Sequence, residues 1–146
     1  ATEYLAKTLA HPDSRVRSET ISAVAGIKGT RATSLLMQAL QDPDLKIACK
    51  AAKHLGARKA EESVPELLKI AMRFDLWGKL HELKMTAIES LGRIGSPSAL
   101  PSLRKLARRR SILNTSKTRI LSQEASRAAY FIEKTLSGGR KDAPSS

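Results

Sequence analysis

Apolar residues recur along this chain at intervals of four, four and three positions. That spacing places them on one face of a helix with 3.6 residues per turn, whereas a strand would alternate apolar and polar residues. The pattern occurs in four copies, offset by 31, 36 and 38 residues. The copies comprise Val16, Thr20, Val24 and Ile27, then Ile47, Ala51, Leu55 and Arg58, then Leu83, Ala87, Leu91 and Ile94, and finally Leu121, Ala125, Ala129 and Ile132. The chain is therefore predicted to be all-α and built from a repeated unit.

A second helix is predicted after the first in each of the first three copies. These second helices cover residues 32–40, 64–72 and 100–109. Pro65 and Pro101 mark where two of them begin. Backbone N–H groups in the first turn of a helix have no partner within the helix, so proline, which lacks an N–H, is tolerated there. Asp13, Asp44 and Ser96 stand where a side chain that caps a helix or starts a turn is favoured. The local signals and the periodicity thus predict the same helical hairpins.

Three short segments resemble the consensus of the HEAT-repeat family. They are Asp42-Pro43-Asp44, the pair Val16-Arg17, and Leu91-Gly92-Arg93-Ile94-Gly95. The lyase-type and armadillo-like solenoids are similar. The resemblance covers about residues 11–136 and implies about four antiparallel helix pairs stacked into a right-handed α-solenoid. It weakens in the fourth copy, where a second helix is missing or reduced to the tail.

One repeat domain is expected over residues 1–136, followed by a disordered polar tail over residues 137–146. The repeats are placed at about 11–41, 42–73, 79–109 and 117–136, with a partial helix over 1–10. The tail is expected to be disordered because it is polar, rich in glycine and free of aromatic residues. The chain begins at Ala1, which fits a piece of a larger protein and removal of an initiator methionine equally well.

Basic residues outnumber acidic ones by 26 to 14, and the excess lies towards the C-terminus. Residues 1–96 carry a balance of +4 and residues 97–146 a balance of +8. Residues three and four apart share a helix face, so five basic residues form a candidate partner-binding patch. They are Arg104, Lys105, Arg108, Arg109 and Arg110. Such a patch attracts polyanions, so nucleic acid, anionic lipid and an acidic protein are all candidate partners. A solvated basic face without any partner is the remaining interpretation.

The sequence contains no recognisable catalytic or metal-binding constellation. His11, His54 and His81 stand in different repeats without metal-ligand spacing, so no metal or cofactor is expected. Cys49 is the single cysteine and is interpreted as a packing residue in a reducing compartment, the cytoplasm. No run approaches the roughly 20 apolar residues that span a membrane, so membrane insertion is not expected. These observations predict that the chain is not an enzyme.

The segment Phe74-Asp75-Leu76-Trp77 lies in one of two long connections, residues 73–81 and 108–117. Its simplest interpretation is structural, with the segment covering the apolar gap between the second and third repeats. An exposed Trp77 would instead be a candidate contact with a protein partner, because tryptophan is enriched at such positions. Some HEAT-like solenoids are DNA glycosylases that use aromatic side chains and a carboxylate, so an enzyme acting on DNA through Asp75 is a third interpretation.

The preferred prediction is a non-enzymatic protein-interaction scaffold, a domain of a larger protein whose second helices present a concave surface. The family resemblance implies protein binding as the commonest task. Positions expected to be exposed on that surface are Gln38, Glu66, Lys69, Ser102 and Lys105. The alternative is a basic solenoid that binds nucleic acid through residues 104–110. The oligomeric state is open, with a monomer as the default.

Overall fold

The computed structural model describes residues 2–109 and 115–141. In this part of the chain all regular structure is helical. The α-helices are α1 (Thr2–Thr8), α2 (Ser14–Ala25), α3 (Thr30–Ala39), α4 (Leu45–Ala57), α5 (Val64–Met72), α6 (His81–Ile94), α7 (Leu100–Arg108) and α8 (Ser116–Lys141). Short 3-10 turns, Glu61–Ser63 and Pro97–Ala99, lead into α5 and α7. Among these helices, none combines the length and the apolar character needed to cross a membrane.

The helices are arranged in two rows. In the first row α2, α4, α6 and α8 stack side by side, and α4 and α6 pack most extensively on one another. In the second row α1, α3, α5 and α7 each pack on the helix that follows in the chain. Neighbouring repeats therefore share one core, and the predicted α-solenoid is confirmed.

The predicted apolar positions supply that core. Val24, Leu55, Leu91 and Ile132, one from each copy, are at most 1% exposed. Burying a large aliphatic side chain contributes roughly 1.5–3 kcal/mol, and a single hairpin cannot bury its apolar face alone. Stability therefore comes from the stacking of neighbours. Helix α1 differs from the others because it buries no residue.

Polar side chains define where the first helices begin. Asp13 and Asp44 cap α2 and α4 as predicted, since each carboxylate accepts a hydrogen bond from the backbone N–H two residues on, at 2.8 and 2.9 Å. Ser96 stands at the start of the 3-10 turn before α7, as predicted, and its carbonyl oxygen accepts from the Ala99 N–H at 3.1 Å. Its hydroxyl pairs with the Ser98 hydroxyl at 2.8 Å and caps no N–H. Gly95 ends α6 in the left-handed conformation with a φ of 74°, which favours glycine.

An enclosed ion pair joins the first two repeats. Arg17 Nε lies 2.8 Å from Asp42 Oδ2, and Arg17 Nη2 lies 3.0 Å from Oδ1. Arg17 Nη1 also donates to the carbonyl oxygens of His11 and Pro12. The two charged side chains are only 12% and 6% exposed. This pair therefore ties the loop before α2 to the loop before α4.

Helix α8 continues to Lys141, past residue 136, where the repeat domain was expected to end. Its buried residues Ala125, Ala129 and Ile132 follow the predicted pattern, and α8 packs on α6 and α7. Residues 137–141, expected to belong to a disordered tail, are instead helical. The rest of that segment, 142–146, lies outside the described residues.

Candidate functional site

Four of the predicted site residues meet on one face of α7. They line a shallow depression of about 680 Å³. Its lining residues are Met72, Pro101, Arg104, Lys105, Arg108 and Arg109. Leu103 and Leu106, which alternate with the basic positions, are buried and turn those positions outward. Arg110, the fifth predicted residue, lies outside the described residues.

Only one of these four cations has an ion-pair partner within residues 2–109 and 115–141. Arg104 Nη2 lies 2.6 Å and Nε 2.9 Å from Glu133 Oε1 on α8, and the two side chains are about half exposed. Lys105, Arg108 and Arg109 lie within ion-pair distance of no described carboxylate. The depression on α7 therefore carries uncompensated positive charge.

Lys69 is not brought into this depression. Its Nζ lies 3.0 Å from Glu66 Oε1, three residues back on α5, in a pair whose lysine faces solvent. Exposed pairs of this kind contribute about 0.5 kcal/mol or less. Gln38 and Lys105 are exposed on the second row as predicted, while Glu66 and Ser102 are half-buried.

The aromatic residues in the loop between α5 and α6 point away from the core. Phe74 is 76% and Trp77 is 79% exposed. The prediction that this segment covers an apolar gap between repeats was therefore wrong for both residues. Asp75 shapes the loop, since Oδ1 accepts from the Lys79 N–H at 3.0 Å and Oδ2 from the Leu80 N–H at 2.8 Å. The carboxylate proposed for catalysis is thus engaged by backbone amides.

A cavity of about 780 Å³ lies beside this loop, and we call it the Trp77 cavity. Its other walls come from α6, from the end of α7 and from the start of α8. Lys84 lines the cavity, is only 7% exposed, and donates from Nζ to the Arg73 carbonyl oxygen at 2.8 Å. Arg109 lines both the cavity and the depression on α7, so the two sites adjoin.

Lys84 was not predicted as a site residue, because lysine is mostly exposed in proteins. The repeat offset contained the signal. Lys84 stands 67 residues after Arg17, and the equivalent residue of the second copy is Ala48, which is 0% exposed. Comparison of the copies would therefore have placed Lys84 on the inward face of α6.

The described residues do not assemble a metal site. His11, His54 and His81 remain in separate repeats, and in residues 2–109 and 115–141 no group of three His, Cys, Asp or Glu side chains could hold a metal ion. Cys49 is buried and unpaired with another cysteine, and burial raises the pKa of its thiol.

A family model for HEAT repeats matches residues 2–77, more than half of the chain. The chain belongs to the HEAT-repeat family. A second family model, for PBS lyase HEAT-like repeats, matches residues 83–109 of this HEAT-repeat protein. HEAT repeats generally mediate contacts between proteins. No curated protein matches the chain.

A solved structure, that of human deoxyhypusine hydroxylase in complex with glycerol, matches this HEAT-repeat chain with a TM-score of 0.76 at 20% identity. The match covers 99% of this chain and 47% of the other, so this chain spans about half of that structure's length. At this identity the likeness shows the fold. The prediction that the chain is not an enzyme was wrong in its reasoning. It took a helical solenoid without a catalytic motif to be a binding protein, but deoxyhypusine hydroxylase is an enzyme with this fold.

Proposed function

We propose that this HEAT-repeat chain binds an acidic segment of a partner protein in the depression on α7. The observation that carries the proposal is the charge of that depression, which among the described residues is lined by four cations and no acidic residue. Three of the four cations lack an ion-pair partner among the described residues. Protein binding is also the general role of HEAT repeats.

The side chains of the depression suit carboxylates. The guanidinium groups of Arg108 and Arg109 each offer a planar fork that can donate two hydrogen bonds to one carboxylate, and Lys105 adds a point charge. Met72 and Pro101 supply apolar surface between these charges. Positive charge on this face would also accelerate the encounter with an acidic segment.

The proposed contact surface extends past Arg109 to Trp77. Trp77 is exposed, and tryptophan is enriched among the residues that contribute most of the binding energy of protein interfaces. The row formed by α3, α5 and α7, expected from the sequence to be concave, supplies the remaining surface in this proposal.

The test measures binding of a labelled oligoglutamate peptide by fluorescence anisotropy at low and at physiological salt. We expect binding that weakens as salt rises, because exposed charges are screened over about 8 Å at physiological ionic strength. The double substitution Lys105→Glu, Arg108→Glu should abolish binding. Its matched control is Lys46→Glu, Lys53→Glu, which reverses two exposed charges on α4 in the other row.

Each outcome of this titration decides between alternatives. An equal loss in both double variants would mean that only net charge matters, and the proposed location would be wrong. Single-stranded DNA of matched charge, bound more tightly than the peptide through the same residues, would favour a nucleic acid over a protein partner. Absence of peptide binding at low salt would refute the proposal.

A further inference from the structure

The two positions of the Arg17–Asp42 ion pair recur in the third repeat with different charges. Equivalent residues of the first and third copies stand 67 positions apart. Lys84 is therefore equivalent to Arg17, and Arg109 is equivalent to Asp42. A cation and a carboxylate therefore occupy these positions where the first two repeats meet, whereas two cations occupy the equivalent positions of the third repeat.

The equivalence is structural as well as numerical. Leu36 on α3 and Leu103 on α7 also stand 67 residues apart, and both are 0% exposed. Lys84 Nζ donates to the carbonyl oxygen of Arg73 in the loop before α6, as Arg17 donates to two carbonyl oxygens in the loop before α2. In both repeats the cation therefore donates to backbone carbonyl oxygens of the preceding loop, although the acceptor positions differ, and Arg109 stands in the third repeat where Asp42 pairs with Arg17.

The Trp77 cavity, which both cations line, has an excess of positive charge. In the part of the chain that the structure describes, its charged lining residues are Arg73, Lys84, Arg109 and Lys117, with Asp75 as the single carboxylate. Asp75 already accepts two backbone N–H groups. Burial lowers the pKa of Lys84, an effect that Asp75 opposes and Arg109 reinforces. The ammonium group of Lys84 is therefore buried without a counter-ion that fully offsets its burial.

Two long helices also begin at this cavity. His81 opens α6 and Ser116 opens α8, and both residues line the cavity. The unpaired N–H groups of a helix start carry a partial positive charge that favours anions. His81 Nδ1 is buried and has no hydrogen-bond partner in the part of the chain that the structure describes.

Part of the cavity lining is apolar. Phe74, Leu76 and Trp77 form a rim with exposed fractions of 76%, 51% and 79%. Leu106 and Leu121 add aliphatic surface from α7 and α8. A ligand that fits this lining has one anionic end and one apolar end.

We propose that the Trp77 cavity binds a carboxylate carried on an apolar group. The carboxylate lies between Lys84 and Arg109, as the carboxylate of Asp42 lies beside Arg17 where the first two repeats meet. The apolar group lies against Phe74 and Trp77. A free organic acid and an acidic side chain next to an apolar residue of a partner present the same chemistry. The inference shares Arg109 with docking in the depression on α7, but Lys84 lines the Trp77 cavity alone, so Lys84→Met tests the inference separately.

Trp77 is the only tryptophan in the chain, so its fluorescence reports directly on this cavity. Hexanoate is titrated against the intact chain, with hexanamide as the neutral ligand of the same length. The peptide acetyl-Leu-Glu-Leu-amide represents a partner's side chain. Saturation-transfer NMR on the hexanoate methyl signal provides a second readout. We expect saturable binding of hexanoate that is about tenfold tighter than that of hexanamide, the factor typical of one charge-assisted hydrogen bond.

Two substitutions and a matched control locate the site. Lys84→Met and Arg109→Met should each weaken hexanoate binding about tenfold. The control, Lys79→Met, also removes one positive charge, from the loop between α5 and α6. Lys79 is exposed and is not among the residues that line the cavity, so the affinity for hexanoate should not change. Ala48 at the equivalent position of the second repeat indicates that an uncharged side chain is compatible with the fold, and circular dichroism checks this for Lys84→Met.

The two ligands distinguish the source of the carboxylate. Binding of the peptide would support a partner's side chain, and binding of hexanoate alone would support a free organic acid. Absence of saturable binding of both ligands by both readouts would overturn the proposal. Equal affinity for hexanamide, or unchanged affinity in both cavity variants, would overturn it as well.

Discussion

Gly56 on α4 lies directly against the backbone of Ser90 on α6, so a Cβ atom at Gly56 would come within 2.9 Å of Ser90 Cα. Ser90 is 2% exposed, and its hydroxyl donates to the Ala52 carbonyl oxygen at 2.8 Å. The contact recurs one repeat later, where a Cβ atom at Gly92 would lie 3.3 Å from Ala128 Cβ. Small residues at equivalent positions therefore allow α4, α6 and α8 to approach closely.

Gly56→Ala should destabilise the protein by about 1–3 kcal/mol, because the added methyl group has no space and one helix must shift. Urea unfolding followed by circular dichroism measures the loss. Gly138→Ala on α8 is the matched control, since nothing lies within 4 Å of its added Cβ. The control should gain up to about 1 kcal/mol from helix propensity. Equal stability of the two variants would contradict the close approach of α4 and α6.

Asp42→Asn should lower the urea midpoint of unfolding, because Arg17 is then left in a nearly enclosed site without a counter-ion. Asp13→Asn is the control, since Asp13 pairs with an Arg15 side chain that is 89% exposed. Asparagine also caps helices as well as aspartate does. The control midpoint should therefore change less. A shift of equal size in both variants would show that the Arg17 pair does not hold the first two repeats together.

The core and the depression on α7 were predictable because burial along a helix follows a regular period. Leu55 and Leu91 are visible as core residues in the sequence, and Lys105 and Arg108 were brought together because they share one helix. The exposure of Phe74 and Trp77 was not predictable, since a loop has no period and its burial depends on what packs against it. The Trp77 cavity needs walls from α6, α7 and α8, which only the folded chain brings together.

Stability should fall as the pH drops below about 6.5. Burial lowers the pKa of His54 and of His81 from the ordinary value of 6.5, and neighbouring basic residues lower both further. The unfolded chain therefore takes up these protons first, so this contribution is complete above 6.5 and is lost as the pH falls towards the folded-state pKa values.

The double variant His54→Gln, His81→Gln tests this assignment. Its free energy of unfolding should depend less on pH than that of the parent chain just below pH 6.5. Urea titrations on either side of that value supply the comparison. The same pH dependence in both proteins would assign the effect to other groups.

Cys49 should react slowly with a thiol reagent such as 5,5′-dithiobis(2-nitrobenzoate). Its side chain is 5% exposed, and burial raises its pKa, so little of the reactive thiolate is present or accessible. The urea-unfolded chain provides the reference rate and should react far faster. Comparable rates in the two states would mean that the α4–α6 interface opens readily.

Helix α1 buries no residue, and this has a consequence for the order in which the backbone opens. In a repeat array each unit is held by its neighbours alone, so a helix that buries no residue against them can separate while the rest stays folded. The amide protons of α1 should therefore exchange with solvent first. Those of α4 and α6, which other helices flank on both sides, should exchange last. Exchange rates measured along the chain would therefore rank the helices by how extensively each packs on its neighbours.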